Sequence, residues 1–305
     1  MNIIRRAAAS LCSAAVLAAL CAPVAAQELT GTLKKVKESG AITLGLRDSS
    51  IPFSYFNDKQ QYVGYSVDLC LKIVEAVRKK LGTPVAVKMQ PVASATRIPL
   101  MTNGTIDLEC GSTTNNLERQ KLVSFAPTTF VTANRLLVKK SSGIQSLTDM
   151  KGKPISSTTG SANLKQITAL SSQMNLGMNI MPVPDHAEGF LMLESDRIVA
   201  YAMDDILLYS LAAHSKNPGD YVITQEPLSI EPYGIMLRRD DPAFKKVVDD
   251  AIYELFASGE INTIYKKWFQ TPIPPRNINL NVPMSDIMKK LIAKPTDSGD
   301  PAAYK

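Results

Sequence analysis

"IDLECGSTTNNLERQK", residues 106–121, changes character in its middle. The first five residues read as a short β-strand. From Gly111 onward hydroxyls and amides follow one another, with no apolar side chain until Leu117, and the stretch closes on Glu118 and Arg119. A strand that empties into a donor-rich turn marks the carboxyl edge of an α/β sheet, where ligands of open sheets bind. Free backbone N–H groups, the hydroxyls of Ser112, Thr113 and Thr114, and the Arg119 guanidinium can together hold an anion. A purely structural reading competes with this one: serine and threonine also cap helices, here one containing "NLERQK".

Outward from this stretch, strands and helices alternate. "AITLGLR" (41–47) is a short strand after a glycine. "GYSVDLCLKIVEAVRKKLG" (64–82) is a helix, with Cys70, Ile73, Val74, Val77 and Leu81 on one apolar stripe. Ser66 is its expected N-cap and Gly82 its stop. "VAVKMQ" is a strand and "TRIPLMTNG" a short helix. After "RLLVKK" the pattern restarts: "PISSTT", "MNIMPV" and "IVAYAMDD" read as strands, separated by helices at "SANLKQITALSSQM" and "DHAEGFLMLESD". "DILLYSLAAH" is a further helix. "YGIMLRR" is a late strand, followed by amphipathic helices in "DPAFKKVVDDAIYELFASG" and "EINTIYKKWFQ". The Pro-rich tail that follows is expected to wrap the surface. Repeated alternation predicts an α/β fold with mostly parallel sheets, and two blocks predict two lobes.

Composition narrows the class. The chain has 305 residues, 45% of them hydrophobic and 20% charged, an ordinary globular profile. The net charge of +6 comes without a Lys/Arg cluster, so no nucleic-acid footprint is present. The first 26 residues carry Arg5 and Arg6, an apolar run from Ala7 to Leu20, and Val24-Ala25-Ala26, a cleavable secretory signal that leaves Gln27 first. Cys21 follows Leu20 rather than a small residue, which argues against lipidation. Cleavage removes two arginines and no acid, lowering the charge from +6 to +4. No other stretch approaches the roughly 20 apolar residues that span a bilayer. Cys70 and Cys110 survive cleavage, and two cysteines in an exported chain suggest one disulfide, the alternative being two buried thiols. His186 and His214, the two histidines, lack metal-ligand spacing, so no metal or other cofactor is expected.

Several segments taken together, "PFSYFNDKQQYVGYSVDL", "GSTTNNLERQKLVSFAPT", "TTGSANL", "YAMDD" and "PYGIMLRRDDPAFKKVVDDAIYELFASGEINTIYKKWF", resemble the periplasmic amino-acid-binding proteins of ABC transporters. "RDSSIPFSY", "SATRIPLMTNGTIDLECGSTTNNLERQK" and "YKKWFQTPIPP" resemble in particular the branch that binds glutamate and aspartate. The resemblance implies a two-lobed periplasmic-binding-protein fold of type II, with the ligand cleft between lobes joined by two hinge strands. Residues 27–133 and 233–305 would form the first lobe and 134–232 the second, with crossings near Ala133–Leu136 and Glu231–Gly234. It implies a monomer that captures L-glutamate or L-aspartate in the periplasm and delivers it to an inner-membrane ABC permease.

Site residues follow from the same resemblance. Arg119, with Ser112 and Thr114, would bind the α-carboxylate, and Asp204 the α-ammonium. Arg47, Ser94, Arg97 and His186 would hold the distal carboxylate. His186 as the imidazolium would make binding strongest below about pH 6.5. Ser161 is matched less closely, because "TTGSA" replaces the consecutive hydroxyls that follow the glycine in such binders. Phe53 and Tyr233 are candidate aromatic contacts. The bland reading of Arg47 and Arg97 is surface pairing with Asp48 or Asp107. Competing functions are a binder of another polar amino acid or dicarboxylate, an exported cyclohexadienyl-dehydratase-like enzyme on the same fold using His186 or Glu109, and a sensor module.

Overall fold

The computed structural model describes residues 29–305, and the signal segment assigned to residues 1–26 lies outside the described residues. Helix α1 (Gly31–Ser39) leads into β1 (Ala41–Leu46), α2 (Tyr65–Leu81), β2 (Ala86–Pro91), α3 (Arg97–Thr102), β3 (Leu108–Glu109) and β4 (Val123–Phe125). The chain then crosses along β5 (Phe130–Lys139). It builds β6 (Pro154–Thr158), α4 (Ala162–Gln173), β7 (Asn179–Val183), α5 (His186–Glu194), β8 (Ala200–Asp204), α6 (Asp205–Ala213) and β9 (Tyr221–Ile223). It returns along β10 (Ser229–Tyr233), adds β11 (Met236–Arg238), and continues through α7 (Pro242–Ser258), α8 (Glu260–Phe269) and α9 (Asp286–Ala293).

Two large sheets result, each the floor of one lobe, beside two small ones of two and three short strands. The first has the order β2-β1-β3-β11-β4, and the second β7-β6-β8-β5-β9 with β10 also on β5. The βαβ connections make β1 parallel to β2 and β3, and β6 parallel to β7 and β8. Strand β11 arrives from the second lobe and inserts antiparallel between β3 and β4. The crossing strands β5 and β10 pair antiparallel from Phe130↔Tyr233 to Asn134↔Ser229. Beneath the first lobe, Ile42, Leu44, Leu46, Val74 and Phe244 are wholly enclosed; beneath the second, Leu136, Val138, Ile155 and Ile167 are.

Local chemistry differs from expectation in three places. The N-cap of α2 is Gly64, not Ser66. Its φ of 145° and a would-be Cβ 2.1 Å from the Phe53 carbonyl oxygen exclude any side chain there. Ser66 instead donates to the Gly111 carbonyl at 2.7 Å, tying the helix to the loop after β3. No α-helix contains "NLERQK"; a single 3-10 turn covers Arg119–Lys121. The tail does more than wrap the surface. Ser285 caps α9, which buries Met288 and Leu291, and the Asp297 carbonyl accepts from Asn115 Nδ2 and Gln120 Nε2, each at 2.8 Å. The last turn thereby braces the 111–121 loop from behind.

Cys70 on α2 and Cys110 after β3 form a disulfide, with Cα atoms 6.1 Å apart and 40 residues of separation. Constraining a loop of that length stabilises by about 4 kcal/mol in the chain-entropy account, and native disulfides generally contribute about 2–5 kcal/mol. The Cys70→Ser/Cys110→Ser variant is therefore expected to lose at least about 2 kcal/mol in urea unfolding. An unchanged midpoint with unchanged slope would show that the bridge adds nothing.

Candidate functional site

The carboxyl ends of five strands converge. Strand β1 delivers Arg47, β3 leads into Gly111–Thr114, β6 into Gly160–Ser161, β7 into His186, and β8 ends on Asp204. Seven of the nine residues named from the sequence, Ser94, Arg97, Ser112, Thr114, Ser161, His186 and Asp204, line one small cavity of about 10 Å³ between the lobes. The other two do not line it but contact the loops around it. Arg119 Nη1 donates to the Thr114 carbonyl at 2.8 Å, and its Nη2 reaches the Gly160 carbonyl of the opposite lobe at 3.3 Å. Arg47 lies against Gly111, where an added Cβ would meet its Cγ at 2.7 Å.

All three arginines are buried, so the surface-pairing reading fails: Asp107 pairs with Lys35 and Arg238, and Asp48 accepts from the Tyr62 hydroxyl. Burial first and the Arg97 charge second lower Arg47 and Arg119 to about 10, leaving both ionised at neutral pH. One carboxylate faces them from the first lobe. Glu109 accepts from Thr113 Oγ1, which in turn accepts from Arg97 Nη1, so a single hydroxyl joins acid to base. Arg47 Nη1, Arg97 Nε and His186 Nε2 are buried with no hydrogen-bond partner among the described residues. Buried donors without acceptors are costly, and an anion in the cavity would satisfy them.

Across the cleft, Ser161 is the N-cap of α4, accepting from the Leu164 N–H at 3.0 Å, while its hydroxyl borders the cavity. Asp204 accepts from Asn163 Nδ2 at 2.8 Å and from the Tyr233 hydroxyl. Burial first, then the nearby Glu231 carboxylate, raises Asp204 to about 7.

The ligand-free charge state of His186 runs against the imidazolium expectation. Burial, then the Arg47 and Arg97 charges, hold it well below 6.5, so the ring is neutral at physiological pH. Its Nδ1 faces the hydroxyls of Thr158 at 3.1 Å and Tyr201 at 3.2 Å. With Nδ1 accepting from that pair, Nε2 carries the proton and becomes one more donor. Without ligand, His186 therefore adds no charge of its own to the cleft. Phe53 is also reassigned. It is fully buried among Tyr65, Phe130, Tyr233 and Phe269 and does not line the cavity. Tyr233 does serve the site, through its hydroxyl.

Sequence reasoning passed over Asn163, Thr158, Tyr201 and Glu231. Each is a buried polar side chain whose role arises from a partner distant in the chain. A groove of about 380 Å³ at the hinge is larger than the cleft, but Arg135 and Asp205 within it pair with each other at 3.1 Å.

Residues 42–271 match the family model for bacterial extracellular solute-binding proteins, family 3. The chain belongs to that family. This solute-binding protein is 55% identical to the L-glutamate/L-aspartate-binding protein of Pseudomonas aeruginosa, over 96% of its own length and 98% of the relative's. It is 46% identical to the glutamate/aspartate import solute-binding protein of Escherichia coli, with 90% and 91% covered. Among solved structures, it resembles a substrate-binding protein of an ABC uptake transporter from Streptococcus pneumoniae with bound histidine. The TM-score is 0.70 at 27% identity, covering 79% of this chain and 97% of that one.

Closure of this solute-binding protein depends on Gly160. Its φ is +76°, and a Cβ there would come within 2.6 Å of Ala95 Cα and 2.7 Å of Ala95 N in the opposite lobe. Neither backbone atom can move aside as a side chain would. Gly160→Ala should hold the lobes apart, weakening all ligands by about tenfold or more. Solution scattering should then give a larger radius of gyration at saturating ligand than for the wild type. Equal radii would refute the contact as the closing limit.

Proposed function

We propose that this protein captures L-glutamate and L-aspartate in the periplasm and hands them to an inner-membrane ABC permease for uptake. The observation that carries the reading is that three buried arginines, Arg47, Arg97 and Arg119, from one lobe and the buried Asp204 from the other gather about the cleft between the lobes. An α-amino dicarboxylate presents two anions and one cation, the pattern these side chains complement. Arg119, with Ser112 and Thr114, takes the α-carboxylate; Asp204 takes the ammonium; Arg47, Ser94, Arg97 and the neutral His186 take the distal carboxylate. Ser161 adds a hydroxyl from the second lobe.

The moving parts are residues 27–133 with 233–305, and 134–232, hinged on β5 and β10. Binding both ends of the ligand from different lobes favours the closed arrangement by differential affinity. The named relatives are binding and import proteins, and the chain is a binder rather than an enzyme. Export follows from the leader, so the mature protein should begin at Gln27, which N-terminal sequencing of the periplasmic fraction tests.

Calorimetric titration with a panel of amino acids, after unfolding and refolding to strip retained ligand, tests the function. One-to-one binding of L-glutamate or L-aspartate at micromolar or lower concentration is expected. Binding confined to neutral or basic amino acids would overturn the reading.

A further inference from the structure

We propose that Glu231, on the returning crossing strand β10, is a positioning residue for the ammonium end of the ligand. Buried beside Asp204, it supplies a second negative charge toward the cation and ties that charge to the hinge. The inference rests on the amino-acid reading above.

The sheet register places the groups. On β5, Asn134 opposes Asp204 on one side and Ser229 on the other, and Thr132 opposes Glu231. Side chains two residues apart share a face. Asp204, Asn134, Ser229 and Glu231 therefore project from one face of the second sheet, and α4 lies over them. Asn163 on α4 donates to Asp204 Oδ1 at 2.8 Å, and Gln166 Nε2, one turn later, donates to Glu231 Oε1 at 2.6 Å. Tyr233, two residues beyond Glu231, donates to Asp204 Oδ2. The hinge strand thus contacts the ammonium-binding acid directly and sets a second acid beside it.

Glu231 is 1% exposed, its Oε2 has no hydrogen-bond partner, and among the described residues no Lys, Arg or His lies within salt-bridge distance. The groups facing Asp204 are Glu231 from β10, Asp205 from the start of α6, Arg119 from the first lobe, and the neutral Tyr201 and Tyr233. Asp205 is already held by Arg135 at 3.1 Å and by Thr132. Two buried carboxylates side by side are costly, and a cation entering between the lobes offsets that cost. A ligand with a hydroxyl in place of the ammonium does not.

The sign of the pH dependence follows. Asp204 is raised to about 7 when the ligand is absent, and a bound ammonium lowers it again. Affinity is therefore fully present above about pH 7 and is lost as pH falls, while binding near pH 7 releases protons. Removing the Glu231 charge removes both the extra attraction at high pH and part of the upward push on Asp204.

Calorimetry of the mature protein with L-glutamate from pH 5.5 to 8.5 tests this, using wild type, Glu231→Gln and Glu231→Asp. At pH 8 the Gln variant should bind about tenfold more weakly than wild type. Its affinity should fall less steeply toward low pH than that of the wild type, so that the ratio closes toward one by pH 5.5. The Asp variant, which draws the charge back by one methylene, should fall between. Discrimination of L-glutamate against L-2-hydroxyglutarate should narrow by the same factor in the Gln variant. A ratio constant across pH, or unchanged discrimination, would show a merely structural role and overturn the proposal. If the Gln variant does not fold, a Glu231→Asp profile identical to wild type overturns it. Absence of amino-acid binding by the wild type would instead defeat the functional reading beneath it.

Discussion

Replacing Arg119 with methionine is expected to weaken L-glutamate and L-aspartate together by about a thousandfold. Removing one partner of a buried, hydrogen-bonded charge pair costs about 3–5 kcal/mol, and each 1.4 kcal/mol is a factor of ten. Arg119 is nearly enclosed, and its guanidinium is held in place by the Thr114 and Gly160 carbonyls. Its remaining donors are thus oriented before any ligand arrives, the condition under which a bidentate carboxylate contact is strongest. The Gly160 contact also crosses the cleft, so the substitution loses a closing bond along with the anion partner. Because every α-amino acid presents the same carboxylate, the loss should be uniform across ligands. Competition calorimetry over several amino acids reads both size and uniformity. A loss under tenfold, or one that spares some side chains, would place the α-carboxylate elsewhere.

The second large effect is discrimination by the far end of the cleft. L-Glutamine and L-asparagine should bind at least about a hundredfold more weakly than their acids. Shape cannot make this distinction, since an amide nearly matches a carboxylate in size. Charge and hydrogen-bond polarity can. Arg47 Nη1, Arg97 Nε and His186 Nε2 are unpartnered donors, and an amide NH₂ would set further donors against them. Glu109, the one acid of the first lobe facing the arginines, does not line the cavity. Leaving guanidinium charge uncompensated costs about 3–5 kcal/mol, lowered to about 2–3 kcal/mol by partial solvent access. Arg97→Met should narrow the preference while leaving the α-amino contacts in place. Glutamine binding within tenfold of glutamate would remove Arg47 and Arg97 from the distal site.

The arginines and Asp204 are named through the family resemblance, and their positions at or near the ends of strands and helices agree with where ligands of such sheets bind. The alternation of elements, the restart after "RLLVKK" and the late strand at "YGIMLRR" were readable for another reason: periodicity is local. What escaped is set by tertiary contact. Nothing around Glu109, Tyr201 or Glu231 in the chain announces that they meet Arg97, Thr158 and Gln166, respectively 12, 43 and 65 residues away. The His186 charge state escaped too, because it is fixed by burial and by two arginines supplied by the other lobe. Ser66 was misread as a cap because propensity cannot foresee the close approach of Phe53 that demands glycine at position 64. Helix α9 went unread, although Ser285 with Met288 and Leu291 carries a cap and an apolar spacing.

The insertion of β11 between β3 and β4 also bears on the order in which the molecule takes shape. The second sheet draws β5 through β10 from one uninterrupted run of chain, within which β6 pairs with β7 and β8 across only 25 and 45 residues (Pro154 to Asn179 and Ile155 to Ala200). The first sheet lacks its fourth strand until residues 236–238 arrive, more than a hundred positions after β3 and β4. Long loop closures slow such pairings. During synthesis and translocation, the lobe bearing Asp204 and His186 can therefore acquire native order first, while the lobe bearing the three arginines waits for its last strand. The 70–110 bridge falls wholly within the waiting half, where it holds α2 to β3 before β11 completes the sheet. Pulse-labelled hydrogen exchange during refolding would register this as earlier protection of β6 and β8 amides than of β3 and β4.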